Sequence, residues 1–247
     1  MIKLLHGNCL DFLANMDDSD EGLVITSPPY NMNLRIKYGK YLFRSEESKI
    51  STKYRSKFED KMTMEDYYDF HKRVLEHLIR VSRIVFYNTG FFTGNKVATF
   101  ELIGHFSKYL KDIIVWDKGN AQPAMGNGVM NSQYEVILIF EDGNAISRQF
   151  KEANFNRGEL SNLWVIPRQQ SKDKLHAAVF PEKLVETIID NFHINNELII
   201  DPFMGTGTTG VIAKRYGIDF LGIELDEMFY RNSQMRIEET MGPDDYL

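Results

Sequence analysis

The stretch Leu23-Val24-Ile25-Thr26-Ser27-Pro28-Pro29-Tyr30-Asn31 sets the tightest limit on what this chain folds into. Four strand-forming residues run into two consecutive prolines. Each proline lacks an N–H and fixes φ, so neither a strand nor a helix continues through the pair. The run predicts a buried strand that stops at a rigid tip. Two features follow from that rigidity: carbonyls without a ladder partner, and an aromatic ring held at a defined angle. Such a tip can receive an amine and a flat ring, although Pro-Pro on its own also serves merely to end a strand.

The flanking sequence has the rhythm of βαβ units. Ile2–His6 reads as a strand, Gly7-Asn8-Cys9 as its turn and residues 10–16 as a short helix; an acidic linker, 17–21, leads into the tip strand. Thr63 begins a helix with Asp66 in a capping-box-like position. Tyr67, Phe70, Val74, Leu78 and Val81 recur there at helical spacing and read as a core face with no functional role. Strands are expected at 84–87, 112–116 and 135–140, a weaker helix at 95–110, and a loop or broad hairpin tip at 117–132. From 141 to 170 the pattern loosens around Arg148, Lys151, Arg157 and Arg168, as in an insertion outside the main sheet. Pro181 opens a helix with core face Leu184, Val185, Ile188 and Phe192. Strands at 197–201 and 220–224 enclose a glycine turn and a helix, and a last helix at 227–239 precedes a frayed tail from 242.

At 247 residues, 43% hydrophobic and 26% charged, the chain fits one large α/β domain with a full core. No apolar run approaches the roughly 18 residues of a membrane span. The first residues turn polar too quickly for a signal peptide. A single cysteine, Cys9, excludes an internal disulfide framework and fits a reducing cytoplasm. No metal-ligand spacing appears. The net charge of −6 alone argues against a nucleic-acid partner. Its distribution argues otherwise. Arg35, Lys37, Lys40, Arg44, Lys49, Lys53, Arg55 and Lys57 stand against Glu46, Glu47, Glu59 and Asp60, a local excess of four positive charges directly after the tip. This segment, 31–61, has no convincing period and reads as a long functional loop or a solvated excursion.

Gly205-Thr206-Gly207-Thr208-Thr209-Gly210 matches the dinucleotide fingerprint, with an acid downstream at Glu224. A nicotinamide or flavin oxidoreductase is therefore a competitor; a P-loop is not, because no lysine follows the glycines. Asp201 weighs against the dinucleotide, since a carboxylate at the strand end would face a pyrophosphate unfavourably. It suits the ammonium of S-adenosylmethionine, whose ribose diol an acid such as Glu224 accepts. The glycines would let the backbone approach that ligand closely. Only two strands flank this turn, and Ile2–His6 can supply the third, which would bring Asn8 and Cys9 to the same ligand-binding edge.

Ser27-Pro28-Pro29-Tyr30, His176-Ala177-Ala178-Val179-Phe180-Pro181 and Asp201-Pro202-Phe203-Met204-Gly205-Thr206-Gly207-Thr208-Thr209 occur here in that order. In these motifs the chain resembles the amino-methylating DNA methyltransferases of the permuted class, over nearly its whole length and least over 31–60 and 141–170. The resemblance implies an α/β fold with a doubly wound, mostly parallel sheet of the S-adenosylmethionine-dependent methyltransferase type. It also implies a small target-recognition insertion at 141–170, with 117–132 as a further contributor. Ser27 and the Pro28 carbonyl would then hold the exocyclic amine of a flipped base, Pro29 would stiffen the tip, and Tyr30 would stack on the ring. The leading serine points to cytosine N4; adenine N6 is the alternative, and a non-catalytic DNA-binding protein of the same fold is another. Asn8 stands where the family often has an acid beside the cofactor's adenine. Phe180 and Phe203 would line the cofactor cleft with Asn8, Cys9, Asp201, Gly205, Thr206, Gly207, Thr208 and Glu224. Arg35, Lys37, Lys40, Lys53, Arg55 and Lys57 would contact phosphates of double-stranded DNA. The implied setting is cytoplasmic and nucleoid-associated, as monomer or homodimer, with a restriction endonuclease acting on the same site as a companion. Carbon-5 methylation needs a cysteine nucleophile, usually after a proline; Cys9 follows Asn8 and is rejected for that role.

Overall fold

A computed structural model describes residues 1–19, 21–32, 34–37, 40–43, 62–122, 127–141, 147–169 and 180–246. Among these, ten strands and six helices are formed: β1 (Ile2–His6), α1 (Cys9–Leu13), β2 (Gly22–Thr26), β3 (Leu34–Lys37), β4 (Lys40–Phe43), α2 (Met64–Arg80), β5 (Ile84–Thr89), α3 (Lys96–His105), β6 (Leu110–Gln122), β7 (Ser132–Glu141), β8 (Leu163–Val165), α4 (Glu182–Phe192), β9 (Leu198–Asp201), α5 (Thr208–Tyr216), β10 (Phe220–Glu224) and α6 (Glu227–Glu238).

Eight strands make one sheet in the order β1-β10-β9-β2-β5-β7-β6-β8. The five strands from β1 to β5 in that order are mutually parallel; β7 runs antiparallel to both β5 and β6, and β8 is parallel to β6. Strand alternation sends β2 and β5 side chains to two separate cores. Leu23, Ile25, Ile84 and Phe86 meet Leu184, Val185 and Ile188 of α4 and Val211 and Ile212 of α5. Val24, Val85 and Tyr87 meet Leu10 and Leu13 of α1 and Val74, Leu75 and Leu78 of α2 on the other face. The fold is therefore the expected doubly wound, mostly parallel α/β sheet. Its central parallel strands β2 and β5 are buried on both faces, which is why their apolar residues run on without alternation.

Local chemistry sets the helix starts. Thr63 Oγ1 accepts from the Asp66 amide at 3.1 Å and donates to Asp66 Oδ2 at 2.8 Å, an N-cap resembling a capping box ahead of α2. Three readings need correction. Residues 34–37 and 40–43, inside the segment read as lacking a period, pair as an antiparallel ribbon. Within 141–170, β8 joins the main sheet beside β6 rather than lying outside it. The tail from 242 forms a short 3-10 turn, Pro243–Tyr246, and the ring of Pro243 lies over Gly217.

Candidate functional site

Because β1, β2, β5, β9 and β10 are parallel, their last residues share one edge: His6, Thr26, Thr89, Asp201 and Glu224. The antiparallel direction of β7 brings its beginning to that same edge, with Ile137 opposite Asn88 and Val136 opposite Thr89. Ligands of open α/β sheets bind at such an edge.

The tip itself is fixed from several sides. Thr26 Oγ1 donates to Asp201 Oδ1 at 2.8 Å. The Pro29 carbonyl accepts from the Tyr67 hydroxyl at 3.1 Å. Asn31 is buried in a left-handed conformation, φ 54°. Its amide donates to the carbonyls of Met62 (2.9 Å) and Gly94 (2.8 Å) and accepts from the Met62 N–H (3.0 Å). The chain thus leaves the tip at Asn31 and returns to it at Met62. Tyr30 stacks on Phe92, centroids 5.6 Å apart. Its hydroxyl lies 3.0 Å from Ser27 Oγ and donates to Glu135 Oε2 at 3.0 Å. Asn88 Nδ2 reaches Ser27 Oγ, the Tyr30 hydroxyl and Glu135 Oε2 at 3.2, 2.6 and 2.9 Å. Burial and the Glu135 carboxylate push the Tyr30 phenol well above its ordinary range.

A cleft of about 180 Å³ opens beside this tip, with Ser27 and Pro29 on one wall. Gly7, Asn8, Cys9, Phe70, Pro202, Phe203, Gly205 and Glu224 complete it with Leu225 and Phe229. Residues near both ends of the sequence therefore meet in one cleft, as the third-strand argument required. Glu224 holds the glycine turn: Oε2 accepts from the Gly205 amide and Oε1 from the Asp226 amide, both at 2.8 Å. Burial raises its carboxyl above the usual range. Gly205 has φ 54°. Asn8 caps α1, accepting from the Leu10 amide at 3.1 Å, and the second lone pair of its oxygen is left for a ligand. Phe203 meets Phe70 edge-on at 6.1 Å. Burial pushes the Cys9 thiol up to about 12, so the thiolate that covalent ring attack needs does not form near neutral pH.

Several expected residues sit elsewhere. Asp201 is absent from the cleft wall; its oxygens accept from Thr26, from Thr209 (2.7 Å) and from the Phe203 amide (3.2 Å). Burial raises this carboxyl to about 6 despite those bonds. Gly207, φ 78°, faces α6, where an added Cβ would lie 2.8 Å from the Ser233 side chain, so α6 packs closely against it. The Thr206 carbonyl accepts from Arg236 at 2.6 Å, and Thr208 is buried. Phe180 packs on the opposite core, edge-on to Trp116 at 6.3 Å. Conversely Phe70, read as plain core, lines the cleft. Its spacing marks a buried face of α2 but cannot say that the face overhangs a ligand site. Asn88, Lys118 and Glu135 also escaped sequence reasoning. Lys53, Arg55, Lys57, the side chains of Arg35, Lys37 and Lys40, and the motif residues 176–179 lie outside the described residues.

A larger cavity, about 550 Å³, lies under residues 148–162 among Phe150, Phe155, Trp164 and Phe192. It contains none of the motif residues, so volume is a poorer guide here than the convergence of polar groups. No helix among the described residues is long and apolar enough to cross a membrane. No cluster of His, Cys, Asp or Glu among them is arranged to hold a metal.

Residues 22–235 match a family described as DNA methylase, of the N6/N4 type. The Type II methyltransferase M.BglII of Bacillus subtilis is 23% identical over 265 aligned residues, covering 92% of this chain and 66% of that protein. The chain thus spans just under two thirds of that relative's length. Among solved structures, the PvuII DNA methyltransferase (cytosine-N4-specific) superposes with a TM-score of 0.70 at 16% identity, over 95% of this chain and 86% of that one. A protein of Thermus thermophilus described as a DNA modification methylase, solved with S-adenosyl-L-methionine, gives 0.64 at 19% identity, over 98% and 97%. At these identities the two structures establish the fold.

Proposed function

The chain belongs to the DNA methylase family that its residues 22–235 match, and from that premise we propose that it methylates the exocyclic N4 amine of a cytosine extruded from double-stranded DNA. The observation that carries this reading is the shared cleft: the Ser27 tip and the Glu224-braced glycine turn line one space.

The cleft suits S-adenosylmethionine, which supplies an electrophilic methyl group. Glu224 has unused lone pairs beside its two backbone bonds and can accept from a ribose diol. Phe203 and Phe70 give flat apolar walls, and the Asn8 oxygen can accept from an adenine amine. Asp201 supports the site from behind, by fixing Thr26, Thr209 and the Phe203 amide, and so positions the turn.

Ser27 and the Pro28 carbonyl draw the conjugated amine toward tetrahedral geometry and localise its lone pair. The protein's contribution is mainly orientation and electrostatics. Extruding the base costs a few kcal/mol of unstacking, which the Tyr30 ring offsets by stacking. Residues 31–61 contact phosphates, and 141–170 together with 117–132 read base edges. The serine that leads the tip, Ser27, is what favours cytosine over adenine.

Incubation with labelled S-adenosylmethionine and mixed-sequence duplex DNA, followed by nucleoside mass spectrometry, tests this. N4-methylcytosine is the expected product. N6-methyladenine would transfer the reading to adenine, and cofactor binding without any product would favour the non-catalytic protein.

A further inference from the structure

We propose that Glu135 is the terminal proton acceptor of methyl transfer, reached from Ser27 through the Tyr30 hydroxyl. The proposal rests on the reading of Ser27 as the residue that meets the target amine. Glu135 begins the buried part of β7 and forms an ion pair with Lys118 of β6 at 3.0 Å. Lys118 is 2% exposed, and an ammonium so deeply buried is tolerated only beside a partner charge.

The donor inventory gives the cluster a direction. An ionised carboxylate only accepts, so the single Tyr30 proton points to Glu135 Oε2. The contact between Ser27 and Tyr30 is then Ser27 donating. With its proton committed inward, Ser27 Oγ presents lone pairs outward and acts as an acceptor. That polarity suits an amine N–H. Asn88 has two hydrogens for three acceptors, and its own Oδ1 is buried without a partner.

The step balances. The exocyclic nitrogen bonds the methyl carbon as the carbon–sulfur bond breaks, the electron pair remaining on sulfur. The nitrogen's proton moves to Ser27 Oγ, the Ser27 proton to Tyr30 and the Tyr30 proton to Glu135 Oε2. The methylated base leaves neutral. Glu135, whose side chain is 15% exposed, then returns the proton to water.

The test uses the full chain in single-turnover methyl transfer to duplex DNA. Glu135→Gln keeps the size and an acceptor for Tyr30 but accepts no proton; the rate should fall about 100-fold or more, with cofactor affinity unchanged. Tyr30→Phe cuts the same route while keeping the ring. The double variant should be no slower than the slower single, since the residues act as one unit. Losses that multiply, or an E135Q enzyme at the wild-type rate, overturn the relay while leaving the function reading intact. A wild type that methylates nothing overturns both. An activity-independent readout is the 13Cζ resonance of Tyr30 in labelled protein without cofactor, assigned by its loss in Y30F. It should shift in E135Q, and an unmoved resonance would overturn the contact itself.

Discussion

Thr26 donates its hydroxyl to Asp201 across 2.8 Å, joining strand ends 175 residues apart in sequence. The strand that carries the Ser27 tip is thereby locked to the strand that carries the glycine turn. This bond, with those from Thr209 and the Phe203 amide, lets the sheet keep a carboxylate in its interior.

Asp201 makes stability fall as pH rises. Burial lifts its carboxyl to about 6, so the folded protein holds the proton more tightly than the unfolded chain. The stabilisation is complete below the unfolded value, about 4, and is lost as pH passes 6; two pH units correspond to about 3 kcal/mol. Asp201→Asn should therefore gain on the wild type by about that amount between pH 4 and pH 8, measured as urea-unfolding free energies. A difference constant across that range would mean that the carboxylate is not desolvated.

Glu224→Gln should lower affinity for S-adenosylmethionine about 10- to 100-fold, the effect of losing a hydrogen bond to a charged group. The amide nitrogen would also face either the Gly205 or the Asp226 N–H, loosening the turn. Titration calorimetry reads the constant directly. An unchanged dissociation constant removes Glu224 from the cofactor site.

Asn31→Ala removes three hydrogen bonds and puts an alanine, with no side-chain amide to bond locally, on a left-handed residue. The expected loss is about 3 kcal/mol of unfolding free energy. Asn31→Gly loses the same bonds without the backbone cost and should be about 1 kcal/mol less damaging. Equal losses in the two variants would locate the effect entirely in the hydrogen bonds.

Neutralising Arg35, Lys37, Lys40, Lys53, Arg55 and Lys57 should flatten the salt dependence of DNA binding. Each phosphate left without its cation lowers the slope of log affinity against log salt by about 0.9. Binding measured from low to moderate salt checks this, and an unaltered slope places the duplex elsewhere.

What was legible in the sequence was local. Leu23 to Tyr30 announce a strand and its rigid end, and Thr63 with Asp66 announces a helix start, because each signal lies within a few neighbouring residues. The glycine turn and Glu224 were legible as a unit, since strand, turn and strand follow one another directly. Glu135, Lys118 and Asn88 were not, because each sits in or beside an apolar strand and gains its meaning from the antiparallel insertion of β7 next to β5. Where Phe180 packs was not legible either: it is near the glycine turn in sequence, while the sheet sets it against the core of α4 and α5. The Thr26 partner of Asp201 was not legible, since nothing in the segment around Asp201 foretells that hydroxyl.

The pairing of β1 with β10, Ile2 opposite Phe220, has a consequence for assembly. Residues 2–6 are synthesised some 218 residues ahead of β10, their sheet partner among the described residues. Parallel pairing over such a separation is entropically costly and forms late. β2, which carries the Ser27 tip, pairs with β5 soon after it but also with β9, and its Thr26 hydroxyl waits for Asp201. The tip and the wall built from Asn8, Gly205 and Glu224 are therefore completed together, when β9 and β10 dock late between strands made long before them.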